Sequence, residues 1–322
     1  MLKIATITGC AGFIGSELTT NLLRSGWYVY GIDKMTYASN RPFINYILKE
    51  YPNSFNFIEK DIAELDRLPD CDVIFNLAAE SDVDTSNANS KQFVLSNVLG
   101  VQNLLHLVSS SAIIKDEPPL FFQISTDEVY GATPDGTYKF TETDTLNPGN
   151  PYSATKAAAD LLIMSWANTH GIKYNIVRPS NNYGFRQHPE KLIPLAIKKL
   201  MRNQKIKLHN KGKPVRTWTS VEDTVDGILA VYHSGKRNEI YNISSEFEQS
   251  NIITITNLIK EFHGNSVDMQ PYMDFTYNRP GQDMRYAVSS NKLSALGWKA
   301  YRNINISMHG LVNYYKHGDF RW

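Results

Sequence analysis

Cysteine is scarce in this chain of 322 residues: Cys10 and Cys71 are the two present. They form no C-x-x-C pair, so neither a disulfide framework nor a zinc site is expected. An excess of one charge is also missing. Thirty-three Lys and Arg against 32 Asp and Glu leave a formal net charge of +1, which offers no electrostatic footing for nucleic acid or an anionic membrane surface. No uninterrupted apolar run reaches the roughly 18 residues of a membrane span, and the chain opens directly on strand-like residues without a signal segment. Internal repeats, low-complexity tracts and flexible linkers are lacking too. These absences leave the expectation of a cytoplasmic globular enzyme with no metal, built as one large or two modest domains.

What is present begins with Lys3-Ile4-Ala5-Thr6-Ile7-Thr8, an apolar strand pattern, followed by Gly9, Gly12 and Gly15. Helical periodicity over 16–25 (Leu18, Leu22, Leu23) stops at Gly26. A second strand, Tyr28-Val29-Tyr30-Gly31-Ile32, runs into Asp33. Strand, glycine turn, helix, strand and acid in this order are the dinucleotide-binding unit. Glycines let the backbone approach a pyrophosphate, and the helix N-terminus attracts it. A carboxylate at Asp33 suits two ribose hydroxyls and repels a 2′-phosphate, which favours NAD over NADP. The spacing is G-x-x-G-x-x-G rather than G-x-G-x-x-G, so the flanking strands and Asp33 carry much of the argument.

Further strands are expected at 55–58, 72–77, 120–126 and 174–177, with helices near 90–109 and 152–170. This alternation predicts an α/β fold: a Rossmann-type, doubly wound parallel sheet with ligands at the C-terminal ends of its strands. Asp61-Ile62 and Leu77-Ala78-Ala79 fall at such ends. The small side chains of Ala78 and Ala79 either leave room for a cofactor or simply pack there. After Arg178-Pro179 the alternation gives way to prolines, turns and isolated aromatics, which predicts a smaller, less regular α/β lobe. A helix from 220 and a strand at 239–243 then return towards the first domain. The expected division is a nucleotide-binding domain over 1–178 that takes back 217–243, and a substrate lobe made mainly of 179–216 and 244–322.

The stretch Leu120 to Ile124 ends in Ser125-Thr126-Asp127-Glu128-Val129-Tyr130-Gly131, a hydroxyl beside two adjacent carboxyls. A helix later come Tyr152 and Lys156, spaced so that both face one way on a helix. An ammonium eases loss of the phenol's proton, and two carboxyls can manage other protons of one substrate. Taken singly, each piece has a plainer reading: Thr126 or Asp127 as a helix cap, Tyr152 and Lys156 as a solvated helix face. Together with a dinucleotide turn they read as a redox step coupled to proton transfer. His170, His188 and His263 stand alone and read as surface or core residues, and Cys10 as a small filler of the glycine turn.

These motifs resemble the extended short-chain dehydrogenase/reductase superfamily and, within it, the nucleoside-diphosphate-glucose 4,6-dehydratases. The resemblance runs almost end to end: Thr8 to Gly15, Asp33 to Ala38, Leu77 to Ser81, Ser125 to Gly131 and Tyr152 to Lys156. It continues through Ser180 to Gly184, Pro189 to Pro194, Arg279-Pro280-Gly281 and Leu296-Gly297-Trp298. Asp127-Glu128 discriminates best, since related 4-epimerases lack the acid pair and related decarboxylases differ at the first acid. The resemblance implies that Tyr152, held as phenolate by Lys156, removes the proton of the sugar's C4 hydroxyl as hydride leaves C4 for NAD. Thr126 would hydrogen-bond that oxygen, Glu128 would take the C5 proton, and a protonated Asp127 would help the C6 hydroxyl leave as water before hydride returns to C6. Cofactor contacts are implied at Gly9, Gly12, Phe13, Ile14, Gly15, Asp33, Lys34, Thr36, Asp61, Ile62, Leu77, Ala78, Ala79, Tyr152 and Lys156.

For the nucleotide sugar the same resemblance implies Ser81, Asn181, Glu190, Lys191, Leu192, Lys207, His209, Arg216, Asn251, Arg279 and Gln282. The two arginines suit a diphosphate, which a guanidinium grips as a fork. This chain departs from the bacterial dTDP-glucose pattern in three places: Lys207-Leu208-His209 replaces a Pro-x-Tyr, Gln282 replaces a His, and Asp82 replaces a His. His209 is more similar to the UDP-glucose 4,6-dehydratases of the plant rhamnose route, which tilts the expectation to UDP-glucose over dTDP-glucose. A homodimer through the helices near 90–109 and 152–170 is implied as well. The rivals are an epimerase or decarboxylase of the same superfamily, and a catalytically inactive NAD-binding regulator.

Overall fold

The computed structural model describes residues 2–111, 117–276 and 283–318. Its first half alternates strand and helix: β1 (Ile4–Thr8), α1 (Phe13–Arg24), β2 (Tyr28–Asp33), α2 (Arg41–Glu50), β3 (Phe55–Glu59) and β4 (Val73–Asn76). After α3 (Val83–Ala88) and α4 (Lys91–Val94), a π-helical turn over Leu95–Leu99 runs into α5 (Gly100–Ser111). Next come β5 (Leu120–Ile124), a 3-10 turn over Asp127–Tyr130, α6 (Pro151–His170) and β6 (Tyr174–Pro179). α1 starts at Phe13, earlier than periodicity places it, because Gly12 caps it with extended backbone and the glycine turn itself winds into the helix.

The seven-stranded sheet has the order β10-β6-β5-β4-β1-β2-β3, with β10 (Glu239–Ile243) beside β6. Every pairing in it is parallel. The strands are apolar on both faces, as a sheet covered on both sides requires. Ala5, Ile7, Phe75, Phe122 and Val177 face a core shared with α1, α2 and α8 (Val221–Ser234). Ile32, Ile74, Phe121 and Ile176 face a second core shared with α5 and α6. The chain leaves β1 towards β2 on one side and returns to β4 on the other, which opens a crevice above the ends of β1 and β4. A buried polar rung closes its floor: the Thr8 hydroxyl donates to Asn76 Oδ1 (2.6 Å), and Asn76 Nδ2 donates to Gln123 Oε1 (2.7 Å).

The helical run Lys91–Ser111 is long and apolar enough, by length and composition, to cross a membrane, which corrects the reading that no stretch qualifies. Its Leu and Val residues are interspersed with Asn97, Asn103 and His106 rather than continuous. Val101, Leu104, Leu105 and Val108 are spent on the core against the sheet.

The second lobe has its own core. α7 (Leu192–Met201), α9 (Asn251–His263) and α11 (Ile304–His317) pack Ile197, Leu258 and Leu311 around Trp218 and Tyr183. Its three-stranded sheet has the order β11-β9-β7, from β7 (Asn181–Tyr183), β9 (Val215–Ser220) and β11 (Glu248–Ser250). The short strands β8 (Ile206–Lys207) and β12 (Met273–Asp274) pair beside it. Thr217 to Ser220 pair within this sheet, and α8 then returns the chain to the first core. Residues 291–298 also return, through α10 (Asn291–Ser294): Leu293 and Trp298 bury in the first core, and Trp298 Nε1 donates to the Asp223 carbonyl (3.0 Å).

Candidate active site

The glycine turn is shaped by close approach. Gly9 has φ +69°, and a Cβ there would lie 2.8 Å from the Ala78 nitrogen, so both backbone conformation and space demand glycine. A Cβ on Gly15 would overlap the Gly9 carbonyl. Helix α1 carries no side-chain cap at Gly12 and no acid in its first turn, so its N-terminal amides suit an anionic group. Asp33 lies behind the turn, accepting from the Ala11 amide (3.1 Å), the Met35 amide (2.8 Å) and the Ser39 hydroxyl (2.8 Å). These residues fit a dinucleotide: a cradle that a Cβ would fill, next to a carboxylate already fixed in place.

A cleft of about 550 Å³ holds Gly9, Gly12, Asp33, Lys34, Thr36, Asp61, Ile62, Leu77, Ala78 and Ala79 along its walls. It opens into a second space of about 1160 Å³ that adds Phe13, Ile14, Gly15, Thr126, Asp127, Glu128, Tyr152 and Lys156. A third, of about 1200 Å³, is lined by Ser81, Asn181, Glu190, Lys191, Leu192, Lys207, His209, Arg216 and Asn251. The first two share Gly9, Leu77 and Ala79, and the last two share Ser81, Glu128, Asn181 and Lys191, so they form one groove. The residues read from the sequence thus lie along a single path, except Arg279 and Gln282, which fall outside the described residues.

At the middle of the groove, β5 ends and Thr126 caps the 3-10 turn, its hydroxyl accepting from the Glu128 amide (3.3 Å). Thr126 is therefore a cap and also a partner of the Tyr152 phenol. Asp127 is buried and its Oδ2 has no hydrogen-bond partner among the described residues. Burial first, then the neighbouring Glu128 charge, push its carboxyl up to about 8, so at neutral pH it is mostly an acid with a proton to give. Burial raises Glu128 too, opposed by Arg216 and by a hydrogen bond from Asn150 Nδ2 (3.4 Å). Burial thus raises both adjacent carboxyls and Arg216 opposes the rise in both, while Asn150 adds a hydrogen bond to Glu128 alone.

Asn150 also begins α6 with a capping box shared with Ser153, which fixes the start of the helix that carries Tyr152 and Lys156. The Lys156 ammonium donates to the Ile124 carbonyl (2.7 Å), and burial brings its pKa down to about 8 against the pull of Asp160. The sequence leads one to expect Lys156 to draw the Tyr152 phenol down. Instead the phenol stands well above its ordinary value, raised by burial and then by Glu128, because low dielectric penalises a phenolate that faces carboxylates.

Several lining residues escape sequence reasoning. The π-helical turn presents Ser96 to Lys34 (2.7 Å) and Asn97 to both the Glu80 carbonyl (3.0 Å) and Thr155 (3.0 Å). His188, read as an isolated histidine, lines the groove: it packs edge-on against Tyr37 at 5.3 Å and lies 3.6 Å from Glu190. Burial alone would raise Glu190, but His188, Lys191 and Tyr37 bring its carboxyl down to about 2. Lys191 donates to the Ser81 carbonyl (3.0 Å), joining the two walls. A pattern of one residue type at fixed spacing could not have flagged these pairs.

Comparison with known proteins gives a consistent picture. The family described as GDP-mannose 4,6 dehydratase matches residues 6–308. The chain is 43% identical over 314 residues to the low-salt glycan biosynthesis protein Agl12 of Haloferax volcanii, covering 96% of this chain and 97% of that one. It is 35% identical over 332 residues to a dTDP-glucose 4,6-dehydratase of Salmonella typhimurium, covering 96% and 91%. The crystal structure of the dTDP-glucose 4,6-dehydratase DesIV from Streptomyces venezuelae, solved with NAD bound, superposes with a TM-score of 0.89 at 32% identity, covering 97% of each chain.

Proposed function

Because this chain belongs to the nucleoside-diphosphate-sugar 4,6-dehydratases of the extended short-chain dehydrogenase/reductase superfamily, we propose that its groove takes NAD at the Asp33 end and an NDP-glucose at the Arg216 end. The enzyme is a lyase that converts NDP-glucose to NDP-4-keto-6-deoxy-glucose and water. Bound NAD supplies the hydride acceptor at C4 and the donor at C6 and, while oxidised, a positive charge that favours the Tyr152 phenolate. Tyr152 takes the C4 hydroxyl proton, with Thr126 hydrogen-bonded to it. A ketone at C4 acidifies C5–H, whose proton goes to Glu128. Asp127 gives its proton to the C6 oxygen, which leaves as water, and Glu128 returns a proton to C5. The observation that carries this reading is the acid pair in the groove: Asp127, buried with an Oδ2 that no described residue bonds, stands beside Glu128, and both feel the Arg216 charge.

For the nucleotide we propose UDP-glucose ahead of dTDP-glucose. Lys207, His209 and Asn251 at the far end of the groove offer polar partners to a ribose 2′-hydroxyl, which a deoxyribose lacks. The domain assignment we infer is residues 1–178 with 221–243 for NAD and mainly 179–220 with 244–322 for the sugar nucleotide. A cytoplasmic homodimer completes the proposal, its contact formed by α4–α5 and α6, where Val94, Leu99 and Leu161 are exposed. The deciding experiment incubates the purified protein with UDP-glucose and dTDP-glucose separately and scores 4-keto-6-deoxy product. Product from neither rejects the reaction, and faster turnover of dTDP-glucose rejects the choice of base.

A further inference from the structure

Behind the reactive turn lies an ion pair that no proton transfer above uses. Arg178 Nε, from β6, donates to Asp160 Oδ2 at 3.0 Å, and their side chains are 2% and 0% exposed. The same Asp160 oxygen accepts from the Ser125 hydroxyl at 3.0 Å, on the residue just before Thr126-Asp127-Glu128. Arg178 Nη1 donates to the Tyr130 hydroxyl at 2.7 Å, on the residue that ends the turn, and the guanidinium lies 4.8 Å from that ring. The Tyr130 hydroxyl in turn donates a hydrogen bond to Asn242 Oδ1 at 3.0 Å. Asp160 stands one helical turn beyond Lys156, itself one turn beyond Tyr152, so the three form a stripe along α6.

We propose that Asp160 and Arg178 are positioning residues for the dehydration: their ion pair grips the chain on both sides of Asp127-Glu128 and ties that turn to the helix bearing Tyr152 and Lys156. The proposal rests on the 4,6-dehydratase reading above. Burying two charges is costly, and apolar packing of equal volume often stabilises a fold as well or better. An ion pair whose hydrogen bonds end on Ser125 and Tyr130 does what apolar packing cannot, because its bond directions fix where the turn sits. Asp160 Oδ1 has no hydrogen-bond partner among the described residues, and the carboxylate also acts on Lys156 and Arg178 through its charge. The groups facing that charge are Lys156 and Tyr152 on α6, Arg178 and Tyr174 on β6, and Tyr130 on the turn, with Glu142 beyond Tyr130. Asp160 supports the Lys156 ammonium against its burial.

The test uses full-length enzyme with NAD and whichever NDP-glucose the wild type turns over. In Asp160→Asn, kcat is expected to fall by on the order of tenfold or more, as misplaced reacting groups do. KM should stay within about threefold of wild type, since phosphate and base contacts lie elsewhere. The alkaline limb of the pH–rate profile should move to lower pH, because Lys156 loses the anion that keeps it charged. Asp160→Glu keeps the charge but not the reach to Ser125, so it should restore the limb and leave kcat depressed. A folded Asp160→Asn with wild-type kcat and an unmoved limb overturns the proposal, as does a loss confined to KM. If Asp160→Asn does not fold, Ser125→Ala and Tyr130→Phe each remove one grip without stranding a charge. Wild-type kcat in both overturns the proposal, and lowered kcat at unchanged KM supports it. Failure of the wild type to form 4-keto-6-deoxy product from either nucleotide sugar strikes the underlying reading instead, and that control separates the two failures.

Discussion

The two ends of the groove are made by different means. At the Asp33 end the walls are mostly backbone: the glycine turn, the start of α1, and a carboxylate that already accepts three hydrogen bonds. At the Arg216 end the walls are side chains gathered from distant segments. Asn181 Oδ1 and Asn251 Oδ1 there are buried and without hydrogen-bond partners among the described residues. Arg216 is held by the Val215 and Asp283 carbonyls (2.8 and 3.0 Å) and stacks on Tyr286 at 4.5 Å. One end is fixed by local chain geometry and fails when atoms are added. The other depends on the whole second lobe and fails when atoms are removed.

The largest expected effect lies between the two ends. Asp127→Asn with Glu128→Gln should lower kcat by about 10³-fold or more, since each residue serves a separate proton transfer. Calorimetric titration should find NAD and nucleotide-sugar binding nearly unchanged; wild-type turnover would remove both carboxyls from the mechanism. The pH profile comes next. Asp127 must hold its proton and Lys156 its charge, and both stand at about 8, so the rate should fall as pH rises through that value. A profile flat to pH 9.5 would contradict both assignments.

Gly9→Val sharpens the contrast at the near end. It forces a side chain into positive φ against Ala78, at a cost of about 1–3 kcal/mol, which should appear as at least tenfold weaker NAD binding in a fluorescence titration with sugar affinity spared. Arg216→Ala is the far-end counterpart. Losing hydrogen bonds to a charged diphosphate, each about 1.5–3 kcal/mol, should raise KM for the sugar nucleotide tenfold or more and leave NAD affinity alone. If either variant weakened both ligands equally, the division of the groove would be wrong. Tyr37→Phe should matter least. It removes the phenol's bond to Glu190 across the rim, about 0.5–1.5 kcal/mol, so KM should change less than tenfold.

The same contrast explains what could be read in advance. The parallel, doubly wound sheet, Asp33 and the Tyr152–Lys156 pair were legible because strand alternation, the glycine turn and helical spacing are written in neighbouring residues. The partners of the reactive turn were not. Tyr130 meets Asn242 and Arg178, and Asp160 meets Ser125, only after β5, α6, β6 and β10 have packed together. His188 gave no signal because its contact with Tyr37 joins a loop of the first domain to one of the second. The raised Tyr152 phenol has a related cause: spacing reveals the lysine on its helix face but not the burial around the phenol.

The π-helical turn at Leu95–Leu99 has a consequence for how this protein can vary. Such a turn houses one more amino acid than an ordinary helix of the same rise. Deleting a single residue there would leave a regular helix with its two flanks in nearly the same phase, so the change would fall on the turn itself. Ser96 in the cleft wall or Asn97 behind it would then be lost or re-aimed, and with it the Lys34 or Glu80 contact. A shortening that leaves the helix sound would still strip one wall of its contacts, and lineages carrying this groove should gain or lose residues at the neighbouring loops before they do so at this turn.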